Sequence, residues 1–260
     1  TDPDVMLLRQ PLTVEQARVW ATLQGLTGQA LMSSDRLTDL SAERVDMMRK
    51  VYPAVDIRPL DLFPAGERKR IWDLKVNHLG RQYDVAGLFN FDASKPVTLN
   101  LNWKELGIET DAPVHVFDYW NSEYMGAWEA GAAIEIMPAS VRVVTLVPDN
   151  GKIQLLSTSR HITQGWVDLR ELHSDEQGTV ISGVSTLPAG NEYSLHFAYP
   201  RGKYFKVKSA TAVAGKKKLE VSATSHQGWA EVSFTAPASG NISWNVTFEP
   251  DYAYSYTVRQ

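Results

Sequence analysis

Asp2-Pro3-Asp4, at the start of the chain, sets two carboxyl groups on either side of a proline that fixes its own backbone angle. A rigid loop directly before a helix is a good place to hold one catalytic acid. A carboxylic acid so held can protonate a leaving oxygen and later take a proton from water. Taken alone, Asp-Pro-Asp is far more often a plain turn. Little else announces chemistry. His78, His115, His161, His173, His196 and His226 are scattered without metal-ligand spacing. There is no phosphate-binding glycine loop and no nucleophile elbow. Cysteine is absent, which excludes disulfides, zinc-thiolate sites and cysteine nucleophiles. It fits an oxidising compartment as well as a reducing one.

Composition narrows the classes further. The 260 residues are 43% hydrophobic and 22% charged, as in a globular protein, with room for one large domain or two smaller ones. No apolar run approaches the ~18 residues of a membrane helix. Lys plus Arg is 26 against 30 for Asp plus Glu, a net charge of -4 that does not suggest a nucleic-acid partner. The one basic run, Lys216 to Lys218, follows Gly215 and reads as a solvated hairpin turn. Phe117, Tyr119, Trp120, Tyr124 and Trp128 could stack on a sugar, but their strand-like alternation reads as core or hairpin packing. Arg160 and His161 could hold an anion, and an interdomain or turn hydrogen bond is the simpler reading.

The elements that would position these groups change character along the chain. Thr13-Val14-Glu15-Gln16 is a capping box. Ala17, Trp20 and Ala21, widened by Val19, Leu23 and Leu26, give a helical stripe that Gly28 stops. Ala30-Leu31-Met32 predicts a short strand. Ser41 predicts a second N-cap, for a helix carrying Val45 and Met48 that ends near Tyr52-Pro53. From about Ile71 the period becomes two, as in Val97, Leu99 and Leu101 or Ile242, Trp244, Val246 and Phe248. One apolar and one polar face per strand predicts antiparallel sheets. Asp149-Asn150-Gly151 is a strong turn signal, read as the junction of two sandwiches because about 110 residues follow, the size of an ordinary sandwich.

The order of several short motifs resembles the second half of the catalytic barrel of α-galactosidases, the melibiase-type retaining glycosidases of glycoside hydrolase clan D. These motifs are Asp2-Pro3-Asp4, the capped helix 13–27, Ala30 to Asp35, and Ser41-Ala42-Glu43. The family pattern has Asn and Pro where this chain has Ser34 and Ala42. Val85 to Phe91, Val114 to Asn121, Tyr124 to Gly126 and Ala139 to Val144 resemble the family's following β-sandwich. The resemblance covers about residues 1–147. Ser157 to Gly165 resembles a segment of some bacterial members.

The resemblance implies an α+β, multidomain chain: the remnant of the C-terminal part of a (β/α)8 barrel followed by antiparallel β-sandwich domains. The boundaries would be 1–70 for the last barrel elements and 71–148 for the first sandwich, with 149–260 a second sandwich on the strength of the turn and the length that follows it. The implied reaction is cofactor-free hydrolysis of a terminal α-linked sugar, galactose first, with retention. Retention needs two carboxyl groups about 5–5.5 Å apart. Asp4 would be the general acid/base. Asp2, Arg9 and Asp35 would be substrate-binding or pocket residues, with Arg9 pairing one of the two nearby aspartates and Asp35 on the same rim. The family nucleophile lies on an earlier strand. A whole barrel takes roughly 250 residues, so this chain alone is expected to be inactive. A missing N-terminal part, or self-association, would cover the barrel remnant. The partner is a carbohydrate, with no nucleic acid and no membrane, in a bacterial, periplasmic or extracellular setting. The rival readings are a non-catalytic carbohydrate-binding or accessory β-sandwich protein, and a barrel degenerated to a scaffold.

Overall fold

The computed structural model describes residues 5–57 and 69–252. Asp2 and Asp4 lie outside them, as does most of the proline-containing crossing piece, 55–64. The first described part alternates strand and helix: β1 (Val5–Met6), α1 (Val14–Thr27), β2 (Met32–Ser33) and α2 (Ala42–Val51). β1 and β2 pair in parallel, Val5 with Met32 and Met6 with Ser33. The Thr13 hydroxyl accepts from Gln16 N and the Gln16 side chain accepts from Thr13 N, so the capping box closes as the sequence predicts. Gly28 ends α1 in the left-handed conformation, φ 66°.

Two expectations about the helices need correction. Trp20 is not in the buried stripe. It is 37% exposed and its indole N–H donates to Val5 O on β1, at 3.1 Å. The inner face of α1 is made of Ala17, Ala21 and Gly25 instead. A Cβ on Gly25 would sit 2.8 Å from Val51 Cγ1, so the helices approach too closely for an indole there. On α2, Arg44, Met47 and Val51 face inward, and Val45 and Met48 are only half-buried.

The rest of the described chain is antiparallel sheet. β3 (Ile71–His78), β4 (Arg81–Asn90), β6 (Val114–Asp118), β7 (Glu123–Trp128) and β9 (Ser140–Pro148) form one sheet in the order β3-β4-β9-β6-β7. β5 (Val97–Asn102) and β8 (Gly131–Ile136) form a two-stranded sheet that covers one of its faces through Leu99, Leu101, Ile134 and Ile136. α1 and α2 cover part of the other face, where Leu26, Met47 and Val51 share a core with Leu74, Val85 and Val143. Predicted alternation therefore holds in β5 and β8, where one face is exposed, and fails in β4 and β9, which are buried on both sides. A Cβ on Gly87 of β4 would lie 2.9 Å from Leu26 Cδ1 and 3.0 Å from a Phe89 ring carbon. Gly87→Val is expected to cost about 1–3 kcal/mol by overpacking, read as a lower urea midpoint at unchanged slope.

Inside this sandwich one cation faces two carboxylates. Lys75 Nζ lies 3.0 Å from Asp73 Oδ2 and 2.5 Å from Asp84 Oδ2. Burial, with the Asp73 charge beside it, pushes the Asp84 carboxyl up to about 6. Burial also raises Asp73, against the pull of Lys75. The folded chain then holds the Asp84 proton more tightly than the unfolded chain, whose value is about 4. The sign follows: this group's contribution falls as pH rises from about 4 to about 6 and is level above. Asp84→Asn is expected to gain about 2 kcal/mol relative to the parent between pH 4 and pH 7. Urea unfolding of both proteins across that range measures it, and a difference that does not change with pH contradicts it.

Nine further strands of the described chain build a second sandwich. β10 (Gln154–Thr158), β13 (Glu192–Ala198), β16 (Val221–His226) and β17 (Trp229–Thr235) form a sheet in the order β10-β13-β17-β16. β11 (Leu169–Ser174), β12 (Val180–Leu187), β14 (Phe205–Ala214), β15 (Lys217–Lys218) and β18 (Gly240–Pro250) form the other, in the order β11-β12-β18-β14-β15. Tyr193, Phe197, Phe234, Trp244 and Phe248 fill the space between them. The turn at Asp149 to Gly151 lies between β9 and β10. Among the described residues there is no closed barrel, and no helix is long and apolar enough to cross a membrane.

The segment 159–168 ties the layers together. Arg160 Nη1 donates to the carbonyls of Arg49 and Tyr52, at 2.6 and 3.0 Å, and closes the C-terminus of α2. His161 Nε2 lies 3.2 and 3.1 Å from the carbonyls of Val51 and Pro53, and burial holds its ring down at about 4. The ring is therefore neutral, with its proton on Nε2. Tyr83 Oη donates to Thr163 O from the first sandwich, at 2.8 Å.

Candidate functional site

Parallel strands point their carboxyl ends the same way, and the two loops that leave β1 and β2 meet there. Asp35 lies two residues beyond β2, and its carboxylate has no exposed surface. Its Oδ2 accepts from Leu8 N at 2.5 Å and its Oδ1 accepts from Arg9 Nη1 at 2.8 Å. Asp35 N donates to Ser33 Oγ at 3.2 Å, which fixes the turn from which the carboxylate reaches. Arg44 completes the arrangement from α2. It is buried, and its guanidinium donates to Leu8 O and to Leu12 O, the latter at 2.6 Å. Both backbone groups of Leu8 are thus held by charged side chains. Such bonds are roughly twice as strong as neutral ones.

The structure brings Arg9 and Asp35 together. Among the described residues Arg9 pairs with Asp35, and it is 53% exposed; the pairing with an aspartate of the opening motif falls on residues outside those described. Asp2 and Asp4 lie outside the described residues. β1 begins directly after Asp4, so this strand follows the motif, whereas the family pattern has a strand before it. Arg44 is the residue that sequence reasoning missed. It shares the i, i+3, i+7 spacing of Met47 and Val51, and a cation on an apolar helical stripe is a signal that it serves a buried acceptor.

The aromatic group is packing. Phe117, Tyr119 and Trp120 are buried. Tyr119 Oη donates to Ser159 O at 3.2 Å and Trp120 Nε1 donates to Thr22 Oγ1 at 2.9 Å. Trp128 is exposed, with its indole N–H turned back on Met125 O at 3.2 Å.

No protein-family model matches the sequence, and no curated protein matches it. Solved structures are similar in shape. α-Galactosidase I from Mortierella vinacea matches with a TM-score of 0.44 at 14% identity, over 55% of this chain and 38% of that one. A GH27 β-L-arabinopyranosidase from Geobacillus stearothermophilus matches at 0.43 and 20% identity, over 55% and 32%. Arthrobacter globiformis T6 isomalto-dextranase, in complex with panose, matches at 0.42 and 14% identity, over 91% and 48%. The chain spans about a third to a half of the length of these structures. Likeness of shape at this level does not carry an activity across.

Proposed function

We propose that this chain is the acid/base-bearing, C-terminal part of a retaining glycoside hydrolase, α-galactosidase-like, that removes terminal α-linked sugars. The observation that carries the reading is the parallel β1–β2 pair, directly downstream of Asp2-Pro3-Asp4, with its two carboxyl-end loops tied through Asp35, Leu8 and Arg9. Parallel strands followed by helices, where the other described strands pair antiparallel, are what the end of a (β/α)8 barrel would contribute. Apolar side chains near the pair, on α1, on β2 and in the turn beyond β2, are exposed. Trp20, Met32 and Leu37 are 37%, 51% and 57% exposed, as apolar side chains awaiting cover would be.

In this reading Asp4 is protonated in the resting site and gives its proton to the glycosidic oxygen. A carboxylate from an earlier strand, outside these residues, attacks the anomeric carbon. Asp4 then takes a proton from the water that releases the sugar, so two inversions give net retention. No cofactor takes part. Asp35 is a positioning residue that acts through Leu8 and Arg9, and Asp2 lines the pocket. The division into 1–70, 71–148 and 149–260 belongs to the same reading, as does a periplasmic or extracellular setting.

The test is hydrolysis of p-nitrophenyl α-D-galactoside, and of a panel of other terminal α-glycosides, by the protein translated from the complete reading frame. Turnover is expected there and none from residues 1–260 expressed alone. Failure across the whole panel, in a folded protein that still binds sugar, would favour the rival reading of a carbohydrate-binding accessory protein.

A further inference from the structure

The second sandwich has a sheet face that its own core does not use. On β13, Tyr193, Leu195 and Phe197 point into the core, so Glu192, Ser194 and His196 stand on the opposite face. Strand pairing sets them in rows. His196 lies opposite Glu231, which lies opposite Thr224. Ser194 lies opposite Ser233, which lies opposite Ser222. Glu192 lies opposite Thr235. Neighbouring rows are about 7 Å apart along the strands, so the three span about 14 Å. A solvated sheet face usually carries long charged side chains. This one carries small hydroxyls with two carboxylates; Ser194 and His196 are buried, the His196 ring 4.4 Å from that of Phe117 in the first sandwich, and the open part is Glu192 with the β17 and β16 residues. Two clefts of about 520 and 540 Å³ meet at Glu192, one lined by Ser194 and Glu231, the other by Ser222, Ser233 and Thr235.

The hydroxyls and carboxylates of this trough match a hydroxyl-rich ligand, and the exposed Lys217 and Lys218 also line the second cleft. Cations at the α2 end are already engaged: Lys50 with Asp46 at 3.1 Å, Arg49 with Asn191 at 2.8 Å, and Arg160 with backbone carbonyls. An anion would find no free partner among these three. Glu231 stands beside buried His196, whose Nε2 lies 3.5 Å from Glu231 Oε1 and whose ring nitrogens make no hydrogen bond among the described residues. An ionised carboxylate there can accept from hydroxyl groups. At the far end of the rows the exposed His226 ring stacks on Trp229, with centroids 4.3 Å apart and planes 16° apart. It closes the trough with a flat wall against which a sugar ring can lie.

We propose that this face, across β17 and β16 from Glu192 of β13, is a second carbohydrate site that holds an extended oligosaccharide. It lies against the C-terminal end of α2, whereas Asp35 lies just before the N-terminal end of that helix. The choice of a carbohydrate rests on the hydrolase reading; the location rests on the rows alone. Such a site would hold a polymer while its end is cleaved elsewhere.

Affinity electrophoresis of the full chain through gels containing soluble dextran or galactomannan tests this. Retardation by at least one polymer is expected. Glu231→Gln and His226→Ala, each with an unchanged melting midpoint, are each expected to weaken the apparent affinity about 10-fold, and Asp4→Asn is expected to leave it unchanged. No retardation in either gel overturns the proposal, as does retardation that Asp4→Asn abolishes while Glu231→Gln does not. Retardation without hydrolysis by the complete protein would remove the hydrolase reading and keep this site. Hydrolysis without retardation would do the reverse.

Discussion

Asp4→Asn, in the protein translated from the complete reading frame, is expected to lower turnover of an unactivated α-linked disaccharide by about 10²–10⁴-fold, the range of general acid–base catalysis. The amide keeps the shape of the carboxyl group but can neither give a proton to the leaving oxygen nor take one from water. The loss should depend on the leaving group. A p-nitrophenolate departs without protonation, so the first step with the aryl glycoside should suffer less and the second, water-dependent step should become limiting. A burst of nitrophenol followed by slow turnover would show this. An equal loss on both substrates would point to damaged folding. No loss would remove Asp4 from the chemistry and favour the degenerate-barrel reading.

The second large effect is on the frame that precedes any chemistry. Asp35→Ala removes the acceptors of Leu8 N and of Arg9, and leaves the Leu8 amide unpaired in a part-buried place. Hydrogen bonds to charged groups contribute about 1.5–3 kcal/mol, and the loss should fall in that range. Urea unfolding measures the total, and limited proteolysis of the 7–12 loop shows where the loss falls. Asp35→Asn keeps an acceptor for Leu8 N and should cost less. Arg9→Ala removes only a half-exposed ion pair and should change stability by no more than about 1 kcal/mol. If Arg9→Ala costs as much as Asp35→Ala, the ion pair holds the loop and the Leu8 amide does not.

What the sequence shows and hides follows from which groups carry side-chain information. Thr13, Gln16 and Gly28 mark α1 because capping and the left-handed turn select residue types, and all three do what their types predict. The period-two segments near Val97 and Ile242 are legible because each strand keeps one wet face. β4 and β9 are legible only as apolar runs, since helices on one side and a second sheet on the other remove the alternation. Trp20 misleads because helical spacing tells which side a residue is on, but not whether the neighbour leaves room for an indole. The tie from Asp35 to Leu8 N is not legible, because a backbone amide has no sequence signature. The segment 159–168 is equally opaque. It has no period, and its meaning lies in the carbonyls of α2 that Arg160 and His161 reach. The second sugar face is a third case. Ser194, Ser222 and Ser233 are ordinary apart, and only strand pairing puts them in one row.

Retention at a terminal α-linked sugar is tested most directly by the anomer first released. Proton NMR during hydrolysis of p-nitrophenyl α-D-galactoside, or of the best substrate in the α-glycoside panel, by the complete protein would follow the product before mutarotation. The α-anomer appearing first, and its rate collapsing in Asp4→Asn, is the predicted result. The β-anomer appearing first would mean a single displacement with the water on the opposite face, and would contradict the two-carboxylate, double-displacement site in which Asp4 is placed.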